Sequence, residues 1–250
     1  MLRILGRLGG ALVLVMLASA CSEDSSADRN ADARAEKPSV ERNEFGDGLA
    51  AAADDEPEYA LLEIPKDAPL VAFLGDSISS GLHLPADQAF PAHVQRLLLE
   101  RGLPFRLINA GVSGDTTAGG LTRTDWLLQQ SPDVLVVEFG ANDGLRGISV
   151  DSMRANLEGI VAKARAAECP VLLLGVRVPP SLGQEYSEQV AAIYHELAGQ
   201  YGLAFVPFFM EGVGGVKEFT LPDGLHPNAL GHERLAENVE ASLARMLQDV

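Results

Sequence analysis

Leu70-Val71-Ala72-Phe73-Leu74-Gly75-Asp76-Ser77-Ile78-Ser79 is an apolar run that stops at a glycine and continues at once into a carboxylate and hydroxyls. A short apolar run bounded by such a turn signal reads as a buried strand, Leu70–Leu74. The polar residues then fall where the chain bends from strand toward helix. A serine at that bend can raise its hydroxyl above the sheet edge and use helix N-terminal N–H groups as anion donors. Taken alone, Ser77 is no more than an N-cap serine. Its meaning depends on what the rest of the chain brings to the same edge.

Outward from this stretch, further short apolar runs alternate with longer amphipathic ones. Phe105–Asn109, Val134–Phe139, Val171–Val176 and Leu203–Val206 read as strands, and Ala92–Arg101, Thr122–Gln130, Asp151–Ala167, Tyr186–Tyr201 and Ala229–Leu247 carry apolar residues at three- and four-residue spacing. Strands so uniformly apolar are expected to be buried on both faces, and helical crossovers between them imply a parallel sheet. The expected fold class is α/β, a three-layer α/β/α sandwich. Ligands in such sheets sit beyond the C-terminal strand ends, so the loops after the strands are the places to look. No internal repeat is visible.

Three more polar loops answer that description. Asn109-Ala110-Gly111-Val112-Ser113-Gly114-Asp115-Thr116 follows the second strand, Gly140-Ala141-Asn142-Asp143-Gly144 follows the third, and Asp223-Gly224-Leu225-His226-Pro227-Asn228 precedes the last helix. The four blocks, in this order, resemble those of the SGNH (GDSL) hydrolase family, nearest to its bacterial thioesterase, lysophospholipase and arylesterase type. The likeness runs from about Leu70 to about Gln248. Any one block is a weak match; the four together are specific.

The resemblance implies a flavodoxin-like, five-stranded parallel sheet and a serine esterase. Ser77 is then the nucleophile, His226 the general base and Asp223 its orienting carboxylate. The oxyanion hole would combine the Ser77 N–H, the Gly114 N–H and the Asn142 amide, and no cofactor is implied. Elementary chemistry agrees with that set. A neutral hydroxyl needs an imidazole to take its proton as it attacks a carbonyl, and a carboxylate three residues before the histidine can reach the other ring nitrogen. The Gly-x-Ser-x-Gly elbow of the α/β-hydrolase fold occurs nowhere in the chain.

Other candidates have plainer readings. Asp76 and Asp143 are expected to stabilise their own turns. His83 and His93 lack partners at catalytic spacing, and His195 and His232 sit on amphipathic helices. A metal site from Asp223, His226 and His232 matches no zinc spacing, so no metal is expected. Leu145, Pro179, Pro180 and Leu182 are candidates for lining an acyl groove, against an equal prospect of ordinary loop packing. The resemblance implies carboxylic esters and thioesters with short to medium acyl chains as substrates, including aryl esters and lysophospholipids. Two alternatives stand beside it: an acetylesterase acting on carbohydrate or envelope polymer, and a non-catalytic tethered binding module.

Composition bounds the rest. The 250 residues allow one full-sized core, and a formal net charge of -16 disfavours nucleic acid, whose binding rests on clustered Lys and Arg. Arg3 and Arg7 precede an apolar run, Leu8–Leu17, that ends in Ala18-Ser19-Ala20-Cys21, a secretory signal layout too short for a membrane span. Residues 1–20 are therefore read as a signal peptide. Small residues before Cys21 resemble a bacterial lipobox, implying an acylated cysteine and a membrane anchor in the bacterial envelope. Cleavage after Ala20 by the ordinary signal peptidase, giving an exported protein, is the alternative. Residues 22–60 hold twelve Asp or Glu against four Lys or Arg with little apolar periodicity, so residues 21–60 read as a lipidated cysteine and an acidic, flexible tether. The hydrolase domain is expected over 61–250. Cys169, the other cysteine, is expected to be a buried structural thiol.

Overall fold

A computed structural model describes residues 63–250; the signal-like segment, Cys21, the acidic stretch and the expected boundary at Leu61 lie outside the described residues. Five strands form the core: β1 (Leu70–Gly75), β2 (Arg106–Asn109), β3 (Val134–Glu138), β4 (Val171–Leu174) and β5 (Ala204–Val206). All four pairings are parallel, in the order β2-β1-β3-β4-β5. The three central strands are buried along their whole length, as their largely apolar composition demands. The two edge strands correct the expectation of burial on both faces. Only β1, β3 and β4 have neighbours on either side, whereas in β2 Arg106 and Asn109 are exposed.

Helices cover both faces. After β1 come the single turn α1 (Ser77–Ser80) and α2 (Phe90–Glu100). The later helices are α3 (Thr117–Leu128), the short α4 (Ala141–Leu145), α5 (Val150–Ala166), α6 (Gln184–Tyr201) and α7 (Ala229–Leu247). Helices α2 and α7 pack together on one side; α3, α5 and α6 form the other layer. The chain steps from β1 outward to β2 and then returns past β1 to β3. Crossovers of one hand therefore put their helices on opposite faces, and the loops after β1 and β3 diverge above the point of reversal.

Two local differences have identifiable causes. Helix α3 begins at Thr117, five residues before the expected Thr122, because Thr116 caps it through Gly119 N and the glycines that blur the apolar period are required for packing. A Cβ on Gly120 would stand 2.3 Å from the Phe139 ring. Helices α1 and α4 are each too short to show a period.

The core explains His232. It is 1 % exposed, and its Nδ1 accepts the Phe90 N–H at 3.0 Å, satisfying a first-turn donor of α2 from α7. Burial pushes its pKa down to about 4, so the ring is a neutral structural acceptor. Around it Phe90 packs edge-on to Phe73, with ring centroids 5.6 Å apart. Each such fully buried large side chain contributes roughly 1.5–3 kcal/mol of burial free energy. Cys169 is 5 % exposed, and burial raises its thiol to about 11, leaving it protonated and inert.

Candidate active site

The site is built at the C-terminal rim of β1 and β3. Where β1 ends, Asp76 caps α1: its Oδ1 accepts the Ile78 N–H at 3.0 Å. Ser77 is the first helical residue, so its own N–H has no acceptor within the helix. Gly81, at φ 70°, closes the turn in the left-handed region that a glycine adopts without penalty. The Ser77 side chain is thereby held on a short rigid corner directly above the sheet.

Far along the sequence a second turn forms around Asp223. An isolated bridge between Thr220 and Pro227 closes it, and Leu221 N donates to His226 O at 2.7 Å. Asp223 Oδ1 accepts two N–H groups, from Leu225 at 2.9 Å and from His226 at 3.0 Å. Its Oδ2 lies 2.7 Å from His226 Nδ1. The imidazole hydrogen bond, followed by those two N–H groups, holds the Asp223 carboxyl down at about 2. An ionised acceptor on Nδ1 fixes the ring as the Nδ1–H tautomer, leaving the Nε2 lone pair free. That Nε2 is 3.0 Å from Ser77 Oγ, although the two residues are 149 apart in sequence.

Asn142 stands on α4, after Gly140 turns the chain at φ 122° beneath the Tyr194 hydroxyl. One amide hydrogen of Asn142 is given to Asp76 Oδ2 at 2.9 Å. A primary amide has two donors, so this bond orients the group and leaves the second hydrogen for the cleft, which Asn142 lines. Gly114 has φ 79°, and its carbonyl accepts Arg146 Nη2 at 2.8 Å. A Cβ there would meet only Arg146 Nη2, at 3.6 Å, so the space around this glycine is open. Gly114 is not in the cleft lining. Its neighbour Ser113 keeps the loop along α1, with its hydroxyl 3.2 Å from that of Ser80.

A cleft of about 410 Å³ opens beside Ser77 and His226. Leu145, Pro179 and Pro180 line it, whereas Leu182 does not. Leu182 ends a tight 3-10 turn, Pro180–Leu182, that points it outward, 42 % exposed; the expectation for it is corrected. Phe208, Met210 and Leu225 complete the apolar wall and were missed. Phe208 and Met210 follow β5, so the rule that singled out the other post-strand loops also covered them. At the cleft the Arg177 guanidinium carbon lies 4.7 Å from the centre of the Phe208 ring.

Asp143 departs from the turn role expected of it. It is fully buried and bridges to α3, accepting the Thr117 hydroxyl at 2.5 Å and the Thr117 N–H at 2.9 Å. Asn156 Nδ2 in turn donates to that hydroxyl at 3.0 Å. These bonds lock α4, and with it Asn142, to the neighbouring helices. His232, a candidate third metal ligand by sequence, is committed to Phe90. Among the described residues no group of three or more His, Cys, Asp or Glu is placed to hold a metal, and no helix is long and apolar enough to cross a membrane.

Known proteins resemble this chain in sequence and fold. Residues 73–234 match the model of the GDSL-like lipase/acylhydrolase family. Esterase TesA of Pseudomonas aeruginosa is 43 % identical over 188 residues, spanning 75 % of this chain and 94 % of that protein. The Escherichia coli protein named thioesterase 1/protease 1/lysophospholipase L1 is 37 % identical over 162 residues, 64 % of this chain and 76 % of its own. Among solved structures, AlinE4, an SGNH-hydrolase family esterase, superposes with a TM-score of 0.61 at 38 % identity, covering 72 % of this chain and 96 % of its own. Fold, family match and relatives agree: the chain belongs to the GDSL-like lipase/acylhydrolase family and is a serine esterase.

Proposed function

We propose that Ser77, His226 and Asp223 form the catalytic triad of this esterase, with the Ser77 N–H, the Gly114 N–H and the Asn142 amide as its oxyanion hole. The observation that carries the proposal is the unbroken relay from Asp223 Oδ2 through the imidazole to Ser77 Oγ, at 2.7 and 3.0 Å. Ser77 Oγ attacks the carbonyl carbon while His226 Nε2 takes the hydroxyl proton. The same proton then goes to the departing alkoxide or thiolate as its bond to the acyl carbon breaks. Water repeats the attack on the acyl-enzyme, His226 again carries the proton, and a carboxylic acid leaves with Ser77 restored. The charge on the carbonyl oxygen meets fixed donors, each worth roughly 3–4 kcal/mol in the transition state.

The substrates are carboxylic esters and thioesters of short to medium acyl chains, aryl esters and lysophospholipids among them. The size and apolar wall of the cleft support this reading, as do the names of the relatives. The Leu8–Leu17 run and Cys21 support export with an acylated cysteine anchoring the protein to a bacterial membrane. A panel of p-nitrophenyl esters and thioesters of graded chain length, with acetylated sugars beside them, tests the assignment. Wild type is expected to prefer acyl chains over acetylated sugar, and Ser77→Ala to be inactive with native circular dichroism. Turnover retained by the folded Ser77→Ala variant would overturn the triad, and a preference for acetylated sugar the substrate class.

A further inference from the structure

Beneath the Ser77 turn two carboxyl groups, Asp76 and Glu138, are both fully buried, and the chemistry proposed above uses neither directly. Glu138 is the last residue of β3, beside Gly75 at the end of β1. Its Oε2 accepts three donors: the Ser79 hydroxyl at 2.7 Å, and the Ser79 and Asp76 N–H groups, each at 3.3 Å. Its Oε1 is buried and accepts nothing. A carboxylate oxygen sealed from water without a partner is costly, whereas a carboxylic acid at the same place is a donor. The acceptor at hand is the carboxyl of Asp76, an equally buried residue whose own N–H Glu138 Oε2 already accepts.

We propose that Glu138 is a positioning residue that keeps its proton during turnover and donates it to the Asp76 carboxylate, which in turn aims the Asn142 amide and caps α1. The inference rests on the assignment of Asn142 to the oxyanion hole. Asp76 accepts Ile78 N–H and Asn142 Nδ2–H, and with one negative charge it would satisfy the proposed Glu138 hydroxyl as a third donor. A second negative charge here would oppose the charge developing on the substrate carbonyl, so one proton within the pair serves the chemistry.

The surroundings fit a single proton held in place. Burial, then the Asp76 charge, pushes the Glu138 carboxyl well above the carboxylate range, and burial raises Asp76 to about 6. The other titratable groups facing the pair are Tyr194, which donates to Phe139 O at 2.8 Å, and His226, whose charge would act on Asp76. Arg123 reaches Gly75 O at 3.3 Å but is ion-paired with Asp115 at 2.8 Å. Gly75 makes room for the cluster: a Cβ there would stand 2.1 Å from Ser79 Oγ and 2.7 Å from Glu138 Oε2.

Two variants and one spectrum test this. Glu138→Gln keeps the shape and offers Asp76 an N–H donor, so kcat is expected within about threefold of wild type. Glu138→Leu removes the donor; kcat is expected to fall on the order of 100-fold with KM little changed, the signature of an interaction made in the transition state. Infrared spectroscopy of wild type at neutral pH should show a protonated-carboxyl stretch that Glu138→Gln abolishes. The proposal is overturned if Glu138→Gln loses as much kcat as Glu138→Leu, if a folded Glu138→Leu turns over normally, or if that band is missing. Should Glu138→Leu not fold, the Glu138→Gln kinetics and the band decide. The band does not depend on turnover, so failure of the triad assignment, read from Ser77→Ala, remains separable from failure of this one.

Discussion

The carboxylates on either side of Ser77 are governed by opposite physics. Asp223 sits in a C-terminal turn with its side chain 42 % exposed, and hydrogen bonds to His226 and two N–H groups hold it ionised down to about pH 2. Asp76 and Glu138 lie under the floor between β1 and β3, where burial outweighs their hydrogen bonds and raises both. Identical functional groups thus differ in charge because one region is wet and the other dry. The exposed turn supplies a permanent negative charge to an imidazole that must become cationic. The buried floor shares a proton and supplies rigidity.

The largest effect should come from the wet side. Asp223→Asn leaves the turn's shape but removes the charge and the fixed tautomer, and kcat is expected to drop by about 10⁴ with KM little changed, measured on a p-nitrophenyl ester. A drop of less than tenfold would mean that the turn carboxylate does not work on His226. On the dry side, Asn142→Ala is expected to cost about 10²- to 10³-fold in kcat. Adding Asp76→Ala to it should cost less than Asp76→Ala costs alone, because the part Asp76 plays through that amide is already lost; full additivity in the double variant would show that Asp76 does not act through the amide.

Stability separates the two regions by pH. Groups raised in the folded state, Asp76 and Glu138, contribute stability fully present below their unfolded values, 3.8 and 4.5, and lost as pH rises through their folded values. Asp223 has the opposite sign: its contribution is present above 3.8 and lost only as pH falls toward 2. Between neutral pH and about pH 4.5 the buried pair therefore adds stability on acidification, while His232, held at about 4 in the fold against 6.5 unfolded, removes it over the same range. Calorimetry should therefore find the change in Tm from about pH 7 to about pH 4.5 less favourable in Glu138→Gln than in wild type; an equal change in the two would remove the buried proton from the account. The smallest effects belong to the rim. Leu182→Ser should leave kcat/KM for a medium-chain ester within about twofold, while Phe208→Ala should raise KM by removing part of the apolar wall.

The sequence made legible what depends on period and on turn chemistry. Central strands, the five long helices and the four polar loops could be read because β1, β3 and β4 are buried on both faces and the loops carry Gly, Asn, Asp and Ser. The edge strands misled because position in the sheet, not composition, decides the exposure of Arg106 and Asn109. Helix α3 began early because Gly119 and Gly120 serve packing rather than propensity. Glu138 was the available clue that went unread: a lone charge at the end of Val134–Phe139, whose partners lie 59 and 62 residues away. Asp143 reads from sequence as a local turn residue because its partner, Thr117, is 26 residues off. Phe208 and Met210 were legible by the same rule as the polar loops, since they follow β5.

The most direct trial of the central claim is covalent capture. Wild-type protein treated with a fluorophosphonate ester should take up one equivalent, lose activity in step, and yield a single modified peptide containing Ser77, while the His226→Ala variant reacts far more slowly. Activity lost with the adduct on any other residue, or undiminished labelling of Ser77 in the absence of the imidazole, would contradict the relay on which the account stands.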